Sequence, residues 1–242
     1  MAEEFPEFEV EFVEFLVQQE ALQFGSEWTL KSGRKSPYFL NMGSIDNGPA
    51  LNRLGESYAA LIAEKIDSGE IQKPTYLWGP AYKGINLAAA TAMFLDSEYG
   101  ITVTVGSDRK ESKTHGEGTG VSLTLLGAKP TAEDRILIIE DVFTTGKTKE
   151  EAHENISSFV ENPAIDGVII ALDRAETSVD GSDTAIAAFK EKYGIPTFSV
   201  TDIYRVRELL HNREVGGAVP LNDENKARLD DYLQKYGTKE AE

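Results

Sequence analysis

Several segments of this chain are too apolar to have a wet face. Arg135–Val142 reads RILIIEDV and Gly167–Leu172 reads GVIIAL, while Thr75–Gly79 and Ile101–Gly106 are shorter runs of the same kind. A strand that alternates polar and apolar residues can lie at a surface, but a continuous apolar run must be covered on both sides. Helical patterns lie between the runs: Pro49–Ile66 with Pro in its first turn, the alanine-rich Gly84–Tyr99, and Lys147–Val160. Strands alternating with helices predict an α/β fold with a central parallel sheet flanked by helices. Phe198–Ile203 is the expected last strand.

The two ends of the chain read differently. Phe8–Phe24 places Val10, Val13, Leu16 and Val17 near helical spacing with Glu on the other face, which predicts an amphipathic helix. Trp28–Asn41 carries a Ser32-Gly33 turn signal between strand-forming residues and predicts a hairpin. Leu221–Tyr236 predicts a polar C-terminal helix, and Pro163–Ala164 and Gly181–Ser182 look like turns. With no repeat and no linker, the 242 residues are expected to form one domain over 1–242. Its parts would be an N-terminal helix and hairpin over about 1–48, a core over about 49–215 and a C-terminal helix over about 221–237.

Charge narrows the function. Twenty-four Lys and Arg oppose 41 Asp and Glu, a net −17, which repels nucleic acid and anionic membrane, so neither is expected as a partner. Any phosphate site must be a local cationic island. The chain has no Cys, so disulfides and thiolate metal sites are excluded, in keeping with an expected cytoplasmic location. The acidic start MAEEFPEFEVEFVEFL has no basic n-region, and no apolar run reaches the roughly 18 residues of a membrane span.

The densest chemistry lies in RILIIEDVFTTGKTKEEA, Arg135–Ala152. An apolar strand runs into adjacent carboxylates, Glu140 and Asp141, and then through Val142 and Phe143 into Thr144-Thr145-Gly146-Lys147-Thr148 and a helix. Ligands of open α/β sheets sit at the carboxyl ends of strands. A Thr/Gly turn entering a helix offers backbone N–H groups, hydroxyls and a positive dipole end to a phosphate. Two carboxylates beside it suit a vicinal diol. Phosphate and diol together describe a ribose 5-phosphate. A Walker A loop is excluded, because the position five residues before Gly146 must be Gly and is Asp141.

This segment resembles the ribose-phosphate signature of the type I phosphoribosyltransferases. Four further blocks in the right order, LKSGRKSPYFLN (Leu30–Asn41), GPAYKGINLAAATA (Gly79–Ala92), RKESKTHGEG (Arg109–Gly118) and ALDRAE (Ala171–Glu176), are similar to the orotate phosphoribosyltransferase family. The resemblance implies the type I phosphoribosyltransferase fold, with residues 1–48 as a small hood over the sheet. It also implies transfer of ribose 5-phosphate from 5-phosphoribosyl 1-diphosphate to orotate, giving orotidine 5′-phosphate and diphosphate.

It implies residue roles as well. Phosphoribosyl diphosphate would be bound by Lys31, Tyr82, Lys83, Arg109, Lys110, Lys113, His115 and the run Glu140, Asp141, Val142, Phe143, Thr144, Thr145, Gly146, Lys147 and Thr148. Orotate would meet Lys31, the Phe39–Leu40 backbone, Thr144 and Arg174, whose guanidinium fork suits a carboxylate. Lys113, Arg109, His115 and Asp141 are the catalytic candidates. Arg109, Lys110, Lys113 and His115 lie in a Gly-rich stretch suited to closing over a leaving diphosphate. In the family this stretch reaches the neighbouring subunit's site, which implies a homodimer with shared sites. Mg²⁺ is the expected metal, carried by diphosphate and ribose oxygens and waters, with no protein ligands assigned.

Three positions depart from the family's usual form. Glu140 stands for Asp, Leu40 for an aromatic residue, and Lys147 for a small residue. Lys147 has two readings, a charge beside the 5′-phosphate or a solvated helix-start lysine, and the second is favoured. A phosphoribosyltransferase for uracil or a purine would share Glu140–Thr148 but lack the partners Lys31 and Arg174. A non-catalytic nucleic-acid-binding regulator on the same fold would need a basic face, which −17 opposes.

Overall fold

The computed structural model describes residues 5–30, 32–109, 125–143, 146–178 and 183–238. In chain order these form α1 (Glu7–Gln18), β1 (Leu22–Thr29), β2 (Lys35–Leu40), α2 (Gly48–Asp67), β3 (Tyr76–Trp78), α3 (Lys83–Tyr99), β4 (Thr104–Asp108) and β5 (Leu125–Gly127). There follow β6 (Arg135–Ile139), α4 (Lys147–Phe159), β7 (Ala164–Asp173), α5 (Ala185–Tyr193), β8 (Thr197–Asp202), α6 (Ile203–Leu210) and α7 (Asp223–Tyr236). β1 and β2 form an antiparallel hairpin, and the other six strands form one sheet in the order β5-β4-β3-β6-β7-β8.

Five of those strands, β4, β3, β6, β7 and β8, run parallel. β5 adds an antiparallel edge to this central parallel sheet, pairing with β4. Its three residues are too few to show a period. Its pairing also needs a glycine: Gly127 has φ +85°, and a Cβ there would lie 2.5 Å from the Val105 carbonyl oxygen.

The double cover is visible in the alternation of side chains. Leu77, Leu137, Ile139, Ile169 and Ala171 point to the core built with α1, α2, α3 and α6. Tyr76, Trp78, Ile136, Ile138, Val168 and Ile170 point to the other, with Ala152 and Ile156 of α4 and Phe189 of α5. Each such side chain contributes about 1.5–3 kcal/mol on burial. α2 starts cleanly because the Asn47 side chain accepts a hydrogen bond from Ala50 N at 3.1 Å.

Some boundaries differ from the sequence reading. The first helix ends at Gln18, not Phe24. Glu20 takes φ 52°, and Leu22 and Phe24 enter β1 opposite Leu40 and Tyr38. β7 begins at Ala164, inside the expected turn, and Gly181–Ser182 lie outside the described residues. α5 and α6 had no counterpart in the reading. The C-terminal helix is polar only outside: Leu229, Tyr232 and Leu233 are buried, and Tyr232 meets Tyr38 of the hairpin edge-on at 6.1 Å. No described helix is long and apolar enough to cross a membrane.

α2 and α3 approach so closely that a Cβ on Gly55 would lie 2.7 Å from the backbone carbon of Ala90. Backbone cannot yield as a flexible side chain can. Gly55→Val is expected to lower the unfolding free energy by about 1–3 kcal/mol in guanidinium titration, through overpacking of this helix pair.

Candidate active site

Polar groups collect where β3, β4 and β6 end side by side. After β3 the chain turns through Gly79–Tyr82 into α3, and Gly79 N donates to the Gly106 carbonyl of β4 at 3.0 Å. Asp108, at the end of β4, accepts from Ala81 N at 2.9 Å. The turn also rests on β6: a Cβ on Gly84 would lie 2.9 Å from the Ile139 carbonyl oxygen, so only glycine fits. The Ala81–Tyr82 peptide is cis, and the Tyr82 side chain is exposed.

Glu140 and Asp141 follow β6 directly, and the backbone holds them in place. Glu140 N donates to the Ile169 carbonyl at 3.0 Å, Ala171 N donates to the Asp141 carbonyl at 2.9 Å, and the Tyr58 hydroxyl donates to the Glu140 carbonyl at 2.8 Å. Burial holds the Tyr58 hydroxyl well above the usual tyrosine range, so it stays a donor. Asp141 Oδ1 accepts from Val142 N at 2.8 Å, and Oδ2 pairs with Lys83 Nζ at 3.0 Å. That ion pair ties the turn after β3 to the acidic pair after β6. A cavity of about 70 Å³ opens beside it, lined by Met42, Leu51, Asn86 and Leu87 with the pair itself. A larger groove of about 880 Å³ lies between α6 and α7 and touches none of these groups, so the geometry of the strand ends locates the site better than cavity size does.

The chain enters α4 through Gly146, whose φ of +80° is left-handed and whose added Cβ would meet the Phe143 ring at 3.1 Å. Among the described residues no side chain caps α3 or α4, whereas Asn47, Thr184, Asp202 and Asn222 cap α2, α5, α6 and α7. The two uncapped ends flanking the acidic pair are thus available to an anion. Phe143 is buried against Phe189 at 5.6 Å. Lys147 is 79% exposed and pairs with Glu151 at 3.7 Å.

Sequence reading missed Lys149. Its side chain is 3% exposed, and its Nζ lies 3.2 Å from Glu140 Oε2 and donates to the Val142 carbonyl. Burial pushes the Glu140 carboxyl up and the Lys149 ammonium down, while their attraction opposes both shifts. The signal was present: Lys149, Ala152 and Ile156 form the buried stripe of α4 at helical spacing. A lysine on such a stripe needs an anion.

A second polar cluster lies under the hairpin. Arg174 Nε and Nη2 donate to Glu176 Oε1 at 3.0 and 2.7 Å, and the Tyr38 hydroxyl donates to the same oxygen at 3.1 Å. The Arg174 guanidinium stacks 4.3 Å from the Tyr38 ring centre. Burial opposes its charge, but Tyr38 and Glu176 more than offset that and raise its pKa. Arg34, also unremarked in the sequence, donates to the carbonyls of Thr177 and Ser178 at 2.8 Å and lies 3.6 Å from Glu176. Phe39 stacks on Trp28 at 5.9 Å, and Leu40 faces Leu22 across the hairpin.

The structure therefore brings together Tyr82, Lys83, Glu140, Asp141, Val142, Phe143, Gly146 and Thr148 at the strand ends. Arg109 leaves the end of β4, where its Nε donates to the Leu125 carbonyl at 3.2 Å. Lys31, Lys110, Lys113, His115, Thr144 and Thr145 lie outside the described residues. Arg174 belongs to the hairpin cluster and is engaged there by a protein carboxylate.

Comparison with known proteins gives the following. No family model matches the chain. An orotate phosphoribosyltransferase of Clostridium botulinum is 40% identical over 234 residues, covering 96% of this chain and 99% of that protein. One of Agathobacter rectalis is 41% identical over 233 residues, covering 96% and 99%. The crystal structure of orotate phosphoribosyltransferase from Francisella tularensis matches with a TM-score of 0.75 and 32% identity, covering 94% of this chain and all of that one.

Glu176 holds the Arg174 cluster together. Glu176→Ala is expected to cost about 3 kcal/mol of stability by chemical denaturation, because it leaves a buried guanidinium without its anion. Glu176→Gln, which keeps an acceptor, should cost less.

Proposed function

The chain belongs to the orotate phosphoribosyltransferase family, and from that premise we propose how its residues divide the work. The enzyme transfers ribose 5-phosphate from 5-phosphoribosyl 1-diphosphate to orotate in pyrimidine nucleotide biosynthesis. A bond forms between an orotate nitrogen and the anomeric carbon. The bond from that carbon to the diphosphate oxygen breaks, and the nitrogen's proton is released. The chemical tasks are to hold the diphosphate, neutralise it as it leaves and exclude water.

The observation that carries the assignment of roles is the meeting of the Gly79–Lys83 turn and the Glu140–Asp141 pair, bridged by Lys83 at 3.0 Å. Glu140 and Asp141 accept the ribose hydroxyls, and Val142–Thr148 with the start of α4 takes the 5-phosphate. Tyr82 and Lys83 take the diphosphate, with Lys83 exchanging Asp141 for a diphosphate oxygen. Its side chain is 59% exposed, so that exchange needs little desolvation. Arg109 marks the root of a segment whose Lys110, Lys113 and His115 neutralise the leaving group. Lys31, the Phe39–Leu40 backbone, Thr144 and Arg174 bind orotate, with the orotate carboxylate replacing or joining Glu176 on the Arg174 fork.

Mg²⁺ fits this arrangement as an ion carried by the substrate. Among the described residues no group of three or more His, Asp or Glu could hold it, and both carboxylates of the acidic pair already face lysines. When bound, it supplies charge neutralisation to diphosphate and ribose oxygens. The enzyme acts as a homodimer in the cytoplasm, with Lys113 entering its neighbour's site.

The direct test follows the ultraviolet absorbance of orotate with phosphoribosyl diphosphate and Mg²⁺, with uracil and hypoxanthine run in parallel. Orotate should be consumed only when both substrates are present. Turnover of another base in its place would refute the roles given to Lys31 and Arg174. Chelating Mg²⁺ should reduce turnover by at least about 100-fold, restored on adding the ion back. Lys113→Ala and Asp141→Ala should each cut turnover by about 100-fold or more with the fold intact by circular dichroism. Mixing the two inactive proteins should recover part of the activity, since a hybrid dimer holds one site with both residues; no recovery would refute shared sites.

A further inference from the structure

The acidic pair is held by two lysines in unlike surroundings. Lys83 reaches Asp141 from the start of α3 with a side chain 59% exposed, whereas Lys149 reaches Glu140 from within α4 with a side chain 3% exposed. Lys83 can leave its partner for a substrate anion. Lys149 cannot: its Nζ is enclosed by Glu140 Oε2 at 3.2 Å, the Val142 carbonyl and the Phe143 ring, whose centre is 5.0 Å away. It is the cation paired with Glu140 among the described residues.

Glu140 needs that cation. It sits at the end of a strand buried on both faces, 8% exposed at the side chain, next to a second carboxylate. The Tyr58 hydroxyl from α2 spends its hydrogen bond on the Glu140 carbonyl, and β7 contributes only the Ile169 carbonyl, which accepts from Glu140 N. Lys83 from α3 pairs with Asp141, not with Glu140. Without Lys149, burial and the Asp141 charge would both favour a protonated Glu140, which donates where a sugar hydroxyl needs an acceptor. A carboxylate has about four acceptor directions. Asp141 N occupies one on Oε1 at 3.2 Å and Lys149 one on Oε2, and among the described residues no other side-chain partner takes the remaining directions.

We propose that Lys149 is a positioning residue for ribose recognition, holding Glu140 ionised and aimed at the sugar hydroxyls while it pins the Val142 carbonyl at the entry to the phosphate loop. This rests on the reading of Glu140 as a ribose ligand. One lysine then sets both halves of the ribose-phosphate site, because the carboxylate and the first carbonyl of the loop share its ammonium. It also accounts for the burial of a lysine in the first turn of a helix, a position where it opposes the dipole.

The test is calorimetric titration of ribose 5-phosphate into the intact enzyme across a range of pH, using Glu140→Gln, Lys149→Met and Lys149→Arg. Glu140→Gln keeps the titration of the ligand's own phosphate and so isolates the carboxylate. Glu140→Gln should bind more weakly than wild type and lose the acid-side fall in affinity due to Glu140. Lys149→Met should bind at least about tenfold more weakly at neutral pH, with the fall moved to higher pH, and Lys149→Arg should recover most of the loss. If Lys149→Met does not fold, Lys149→Gln, which keeps a donor without the charge, gives the same reading. Wild-type affinity and pH dependence in Lys149→Met, beside a weakened Glu140→Gln, would overturn the role of Lys149 and leave the ribose contact standing. A Glu140→Gln protein indistinguishable from wild type would overturn the ribose contact itself.

Discussion

β3, β6 and β7 are buried on both faces, and the rest of the structure follows from how that leaves them no polar side. A carboxylate or lysine within such a strand would lose its water without replacement, at a cost of several kcal/mol per charge. Within these strands the charged residues stay at or near the ends: Arg135 and Asp166 pair near the starts of β6 and β7, and Asp173 ends β7. Lys83 follows β3, Asp108 is the last residue of β4, and Glu140 and Asp141 follow β6, at the ends of three adjacent parallel strands. Parallel strands bring like ends together, so three separate stretches of sequence deliver their polar groups to one rim.

The same burial explains why glycines crowd that rim. Gly79 and Gly84 let the turn after β3 lie against the end of β6, where a side chain would strike backbone atoms at under 3 Å. Gly146 supplies the left-handed residue that starts α4 beneath the loop. Two helices then begin without side-chain caps on either side of the acidic pair. Uncapped helix ends and fixed carboxylates thus share one rim in a protein of net charge −17. Lys83 and Lys149 offset the two carboxylates of the acidic pair locally.

The hairpin contributes a separate cluster, and its logic is enclosure. Arg34 and Arg174 converge on Glu176, with Tyr38 and Tyr236 stacked on their guanidinium faces. These residues come from the hairpin turn and β2, the segment after β7, and α7, so the hairpin and the C-terminal helix are both needed to form it. The Arg174 guanidinium is thus ordered by protein groups of this network.

The sequence alone determined the α/β class, the double cover of the sheet and the strand, acidic pair and helix of Arg135–Ala152. Those depend on local patterns: apolar runs, helical spacing, and a strand–acid–loop–helix order that falls within 18 residues. Motif resemblance, not periodicity, supplied the substrate. Tertiary structure decided what depends on distant or one-sided contacts. Lys149 reads as a surface lysine among glutamates until α4 is laid on the sheet and its stripe with Ala152 and Ile156 turns inward. Arg174 and Glu176 are two residues apart, but Arg34 and Tyr38, which fix them, lie about 140 positions away. The three-residue β5 and the early end of α1 escaped for the same reason, since a single pairing partner, not a local period, defines them. Periodicity records which face of an element is dry; only the packed chain shows which charge on that face has found its partner.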